Sequence, residues 1–314
     1  MEIKEIERSI IKKYRKEIWS PFIRAIKEFK LINDNDKIAV AISGGKDSLL
    51  LAKVIEELHK HSKVNFDVVY ICMDPGYNKE NRDKLEENLK YLHIDGKIYQ
   101  TDIFEISEHI TKGAYPCYMC ARMRRGSLYA KAKELGANKI ALGHHMNDVI
   151  ETTMLNVLYA GNFKTMKPKL KAQNFSDMEL IRPFYYVREE DIIKWRDYVG
   201  LTALNCACSV TKSQEAYTRK MIKNMISQMK EVNPDVEKSI LRSAENVNCD
   251  MVIGYKLKGV KHSFMEEFDD WFYKSIDFIN SWGRNGIFAD FFYWSFDFGK
   301  SICKIRTSGI FQCL

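Results

Sequence analysis

The chain has 314 residues, 46% hydrophobic and 29% charged, with a net charge of +7 at neutral pH. This is enough chain for one large or two smaller cored domains, and the balance excludes a disordered or fibrous class. Eight cysteines are too few for a disulfide scaffold at this length, Met1–Lys30 is too charged for a secretory leader, and no apolar run approaches the roughly 20 residues of a membrane span, so a reducing, cytoplasmic setting without a membrane partner is expected.

Met1–Lys30 is helical in pattern, with Ile3, Ile6, Ile10, Tyr14 and Ile18 at helical spacing and nine Lys or Arg against five Glu. Pro21 is expected to break or restart that helix. A basic amphipathic lead helix is first a cover over a core; it can also lie against nucleic-acid phosphate.

Ile38-Ala39-Val40-Ala41-Ile42 follows, a short branched apolar run that reads as a buried strand. Ser43-Gly44-Gly45-Lys46-Asp47-Ser48 comes next, and then the apolar helix pattern from Leu49. Paired glycines let the backbone turn sharply and approach a ligand, since no Cβ intervenes. The unpaired N–H groups and the dipole of the helix start favour an anion. Ser43 and Ser48 add hydroxyls, and Lys46 adds a charge for phosphate oxygens. The spacing is shorter than that of the common G-x-x-x-x-G-K-[ST] loop.

Beyond this point strands are predicted at Lys37–Ile42, Phe66–Met73, Lys97–Thr101 and Lys139–Leu142. Helices are predicted at Leu49–His61, Glu80–Leu92, Cys120–Leu135 and Asn147–Tyr159. The alternation predicts an α/β fold: a parallel sheet with helices on both faces and ligands beyond the carboxyl ends of the strands. Asp74-Pro75-Gly76-Tyr77 and Gly143-His144-His145 both fall at such ends. Lys164 to Arg182 reads as a surface hairpin carrying Lys164, Lys167, Lys169 and Lys171. Helices resume at Glu189–Val199, Gln214–Lys230 and Asp235–Asn246. From about Asp269 the tail is crowded with aromatic residues and lacks a clear period.

Cys117 and Cys120 form a C-x-x-C at a predicted helix entrance, followed by Arg122, Arg124 and Arg125. A positive helix end favours thiolates, which suit zinc or an iron–sulfur cluster. No second C-x-x-C completes a tetrahedral zinc site; one further cysteine from Cys206 and Cys208 would make three ligands. Asp148, in the first turn of its helix, is a candidate to hold Mg²⁺ against a triphosphate or to act as a base, or is simply a cap. Asp74 is a candidate at the nucleotide edge, with a plain turn as the alternative. His144 and His145 are candidate substrate contacts, with plain packing at a strand end as the alternative. Cys72, Cys249, Cys303 and Cys313 read as buried small hydrophobes. The scattered Lys and Arg, Arg182, Arg188, Arg219, Lys220 and Lys223 among them, fit an electrostatic footprint for tRNA.

Taken in order, the Ser43–Ser48 loop, the C-x-x-C, Gly143-His144-His145-x-x-Asp148, Ile181-Arg182-Pro183-Phe184 and Arg188-Glu189-Glu190-Asp191-Ile192 resemble the TtcA family of tRNA 2-thiolation enzymes (2-thiocytidine synthetases). The resemblance runs from about Ile38 to Tyr255. It implies a PP-loop domain like the adenine nucleotide alpha hydrolases, with helical N- and C-terminal additions. It also implies ATP and Mg²⁺, and a [4Fe-4S] cluster on Cys117, Cys120 and either Cys206 or Cys208. ATP would be held by Ser43, Gly44, Gly45, Lys46, Asp47, Ser48, Asp74, Gly143 and His144, with Lys46, Asp47, Asp148, Cys117 and Cys120 in catalytic roles. Implied partners are tRNA and a sulfur donor such as a cysteine desulfurase, with room for a homodimer. The expected division is 1–30, a basic helical segment; 31–205, the ATP-binding thiolation domain; 206–268, a helical part completing the site; and 269–314, the aromatic tail. Two features depart from the family pattern: the Asn205-Cys206-Ala207-Cys208-Ser209 spacing, and the tail. Competing readings are 2-thiouridine or lysidine synthesis on the same loop, or a noncatalytic zinc-containing tRNA-binding protein.

Overall fold

The alternation of large and small apolar residues in Ile38-Ala39-Val40-Ala41-Ile42 suits a strand covered on both faces. In the computed structural model this stretch lies inside a six-stranded sheet. Residues 1–111, 116–175, 177–204, 214–266, 268, 303–305 and 311–313 are described, and the chain divides into two units, Met1–Asn246 and Val247–Leu314.

The first unit opens with α1 (Ile3–Arg8), π-helical turns over Ser9–Lys13 and Arg15–Trp19, and α2 (Ser20–Glu28). It continues through β1 (Asp36–Ile42), α3 (Lys46–His61), β2 (Phe66–Asp74), α4 (Lys79–Tyr91) and β3 (Gly96–Gln100). Next come α5 (Ile103–Thr111), α6 (Pro116–Glu134), β4 (Lys139–Ala141) and α7 (Met146–Tyr159). The unit closes with β5 (Lys169–Lys171), β6 (Glu179–Ile181), α8 (Glu189–Tyr198), α9 (Gln214–Val232) and α10 (Val236–Ser243). The second unit contains the hairpin of β7 (Gly254–Leu257) and β8 (Val260–Ser263), and the antiparallel pair β9 (Cys303–Ile305) and β10 (Phe311–Cys313).

The sheet order is β3-β2-β1-β4-β6-β5, parallel except for β5. The chain moves outward from β1 to β3 and then returns to the other side of β1 as β4. That reversal makes a crevice at the carboxyl ends of β1 and β4, where open α/β sheets bind their ligands. Ile38, Val40 and Ile42 face one core with Leu49, Leu50, Val54 and Trp195; Ala39 faces a second with Ile71, Ile140, Tyr129 and Ala132 of α6.

Several expectations need correction, the first being the burial of Cys249, which is exposed. The Lys164–Arg182 hairpin exists, yet it is not confined to the surface: β6 pairs in parallel with β4, and Leu180 and Ile181 are buried. The lead segment is also interrupted around Tyr14, at the π turns, before α2 restarts it with Pro21 in its first turn, where a missing N–H costs nothing. α5 was not predicted; Ile106 and Ile110 lie on its exposed side and blur the period.

Candidate active site

Two loops meet in the crevice. β1 ends at Ile42, and Gly44 turns the chain with φ +79°, a left-handed conformation that disfavours any side chain. Gly45 begins α3 with no side-chain cap, leaving the first amides of the helix to a ligand. The hydroxyl of Ser48 donates to the Gly45 carbonyl (2.9 Å) and accepts from the Ser43 amide (3.1 Å). Ser48 thus braces the loop from below. From the β4 side, Gly143 packs so tightly on the first turn of α3 that a Cβ there would meet Asp47 backbone carbon at 3.0 Å and the Ser48 nitrogen at 3.1 Å. Absence of a side chain at Gly143 is what lets the two loops share one floor.

Lys46 Nζ lies between Asp47 Oδ2 (3.2 Å) and Glu189 Oε1 (3.1 Å) at the start of α8. Burial would lower the Lys46 pKa, but the two carboxylates outweigh it and raise it. Glu189 also accepts from Lys223 Nζ of α9 (2.5 Å), and its amide donates to Asn147 Oδ1. Its pKa falls to about 2: burial opposes the fall, and Lys223 and Lys46 overcome it. Asp47 Oδ1 is buried, accepts no hydrogen bond, and lies 3.8 Å from His145 Nε2. A carboxylate oxygen left in this way fits a cation carried in with a ligand.

Asp148 belongs to a reciprocal cap on α7. The His145 amide donates to Asp148 Oδ2 (3.0 Å), and the Asp148 amide donates to His145 Nδ1 (3.4 Å). The cap therefore places the His145 proton on Nε2, facing Asp47. Asp148 Oδ1 also meets Arg219 of α9 at 3.3 Å. Beside it Glu151 is buried, and desolvation lifts its pKa to about 7 despite Arg219 at 3.4 Å. Burial lowers the His144 pKa to about 4, so the ring is neutral at physiological pH.

Asp74, at the end of β2, is spent on its own loop: Oδ1 accepts from the Gly76 and Tyr77 amides (2.9 and 2.7 Å), and Oδ2 pairs with Arg82 (2.8 Å). Its contribution is to aim Tyr77, whose hydroxyl donates to the Ser43 carbonyl at 3.3 Å.

α6 returns from the β3 edge to β4, so its first turns lie at the carboxyl end of the sheet. Burial raises the Tyr77 pKa, and the nearby charge of Arg124 on that part of the helix works against it. Cys120 is one turn earlier, on the same helical face, and is buried. The Cys117 backbone is helical, and its side chain lies outside the described residues, as do Cys206 and Cys208 altogether. Leu204, two positions before Cys206 in the sequence, donates its amide to the Gly44 carbonyl at 3.0 Å. Among the described residues no three His, Cys, Asp or Glu side chains converge as a metal site, and no helix is long and apolar enough to cross a membrane.

The structure thus brings together Ser43, Gly44, Gly45, Lys46, Asp47, Ser48, Gly143 and Asp148, with His144 beside them. Glu189 and Tyr77 are participants to which the residue pattern assigned no role. Only Glu189 had a local signal, its place among the acids opening a helix.

The family model that describes the PP-loop domain matches residues 18–230. A tRNA-cytidine(32) 2-sulfurtransferase of Syntrophotalea carbinolica is 37% identical over 237 residues, 75% of this chain and 90% of that protein. One from Vibrio vulnificus is 39% identical over 228 residues, covering 71% of this chain and 72% of its own. Among solved structures, the U34-tRNA thiolase NcsA from Methanococcus maripaludis with its [4Fe-4S] cluster superposes with a TM-score of 0.59 at 21% identity. That match covers 72% of this chain and 77% of the other, and shows a shared fold.

Proposed function

We propose, for a chain that belongs to the tRNA-cytidine(32) 2-sulfurtransferase family of PP-loop proteins, that it uses ATP to replace the C2 oxygen of a tRNA cytidine with sulfur. The observation that carries this reading is the meeting of the uncapped α3 start with Lys46 and the orphaned Asp47 oxygen in one crevice. A triphosphate finds amides, a cation and a carboxylate there in the order that adenylation needs.

In this reading the α3 amides and the Gly44–Gly45 backbone hold the β- and γ-phosphates. Lys46 leaves Glu189 for a phosphate oxygen, and Asp47 Oδ1 would hold Mg²⁺. The cytidine O2 attacks the α-phosphorus and pyrophosphate departs, its growing charge met by Lys46 and the loop amides. Asp148 and His145, locked by their mutual cap, line the side on which the base enters. Cys117 and Cys120, with Cys206 or Cys208, would hold a [4Fe-4S] cluster. The buried Cys120 on the face of α6 that looks toward Tyr77, and the Leu204–Gly44 tether just before the late cysteines, support that assignment. Held by three thiolates, such a cluster would supply an open iron able to carry sulfur for the activated carbon. AMP then leaves with the former C2 oxygen. The contacts of Arg219 with Asp148 and of Lys223 with Glu189 support reading α9 as the part of 206–268 that completes the crevice. A cysteine desulfurase is the fitting sulfur donor, and the cytoplasm the fitting place.

The test is anaerobic reconstitution, followed by mass spectrometry of tRNA nucleosides. The expected product is 2-thiocytidine with stoichiometric AMP. C117A and C120A are expected to bind ATP normally and form no thionucleoside; normal thiolation by either variant would exclude the cluster role.

A further inference from the structure

Arg182 stands one residue past the end of β6, next to β4 and its His144 loop. It is 8% exposed. One Nη1 donates to the Lys167 carbonyl, while the buried Nε finds no acceptor. Among the described residues no carboxylate comes within ion-pair distance of the guanidinium. A buried cation without an anion is costly, and side chains that persist so are commonly completed by a ligand. Desolvation together with the Arg125 charge lowers its pKa to about 10, so it keeps its proton at neutral pH.

The surroundings define the missing anion. Arg125 of α6 lies on one side and Lys167, whose carbonyl Arg182 holds, on the other; the half-buried Arg124 and the exposed Lys164 are further cations on the same two segments. None of these four has a carboxylate within 4 Å among the described residues, whereas Lys46 already has Glu189 and Asp47. Tyr129, stacked on Phe175 at 5.3 Å, closes the apolar side. Exposed unpaired cations leading to one buried guanidinium suit a polyanion that threads a single phosphate inward.

Resting on the tRNA reading above, we propose that Arg182 is a positioning residue that takes a non-bridging oxygen of the RNA phosphodiester beside the target nucleotide on its Nε–H. The shared chemistry is a phosphate oxyanion, and the α-phosphate of ATP is the other source.

Filter binding of unmodified tRNA to the full chain across a salt series, beside ATP binding without tRNA, separates the two. R182Q is expected to weaken tRNA binding about 10- to 100-fold, the loss of one charge-assisted contact, and to flatten the log–log salt slope by about one. ATP affinity is expected to stay within twofold. Unchanged tRNA affinity overturns the proposal, as does an equal loss for ATP. Where R182Q fails to fold, the wild-type Arg182 Nε–H resonance serves instead. It should shift on adding a tRNA anticodon stem-loop and stay still on adding ATP; the reverse overturns the proposal. Wild-type thiolation is scored in parallel. If it is absent, the functional reading falls; if it is present with normal R182Q binding, only the Arg182 role falls.

Discussion

Lys46 and Glu189 stand 3.1 Å apart though 143 positions separate them in the chain. The carboxylate holds the ammonium at the mouth of the phosphate loop, so a triphosphate must compete for it. E189Q removes the competitor while keeping the hydrogen bond. It should tighten ATP binding several-fold, on the order of 1 kcal/mol, with the gain shrinking at high salt. K46M should weaken ATP binding at least tenfold. Titration with a fluorescent ATP analogue at two ionic strengths checks both; weaker binding by E189Q would mean that Glu189 aligns Lys46 instead of restraining it.

Glu151 provides a pH signature. Its folded pKa of about 7 lies above the ordinary carboxyl value of 4.5, with burial as the largest cause. Its contribution is therefore fully present below about pH 4.5 and is lost as pH rises through 7. E151Q stays neutral throughout, so it should match wild type at pH 4.5 and exceed it at pH 8 by ~2–3 kcal/mol. Urea unfolding at the two pH values is the measurement.

Gly143 and Gly126 make a matched pair. At Gly143 a methyl would strike the Asp47 and Ser48 backbone, while at Gly126, inside α6, nothing lies within 4 Å. G143A should lower stability by about 1–3 kcal/mol and impair ATP binding. G126A should raise stability by roughly 0.5–1 kcal/mol. Thermal melts with and without ATP distinguish them.

Lys139 is buried with its ammonium on Asp36 (2.7 Å), the Leu31 carbonyl (2.9 Å) and Glu179 (3.4 Å). D36A leaves that buried charge only the longer contact with Glu179 and should cost about 3–5 kcal/mol in denaturant unfolding. Burial would raise the Asp36 pKa, but Lys139, the Asn33 amide and Asn138 lower it on balance. Its stabilisation is therefore present above the unfolded pKa and lost as pH falls toward the lowered value.

The crevice was legible where chemistry is local in the chain. Strand, glycine pair and helix follow one another, and the run from Gly143 to Asp148 carries its own cap. Glu189 and Tyr77 were not legible, because each acts on the loop from a different strand end, and only the sheet order brings them there. Asp74 shows the converse: its position was read correctly from the pattern, while its oxygens serve the turn and Arg82. The π turns around Tyr14 escape a 3.6-residue period by construction, since each adds a residue to the turn.

Ile6, Ile10, Ile18 and Phe22 share the interior of Trp195, whose indole N–H is held by Ser9 at 3.1 Å. A recombinant form trimmed to start at Asp36 would strip that wall away, leaving a greasy face for other copies to stick to. Affinity handles are better joined ahead of Met1, which is already half in solvent.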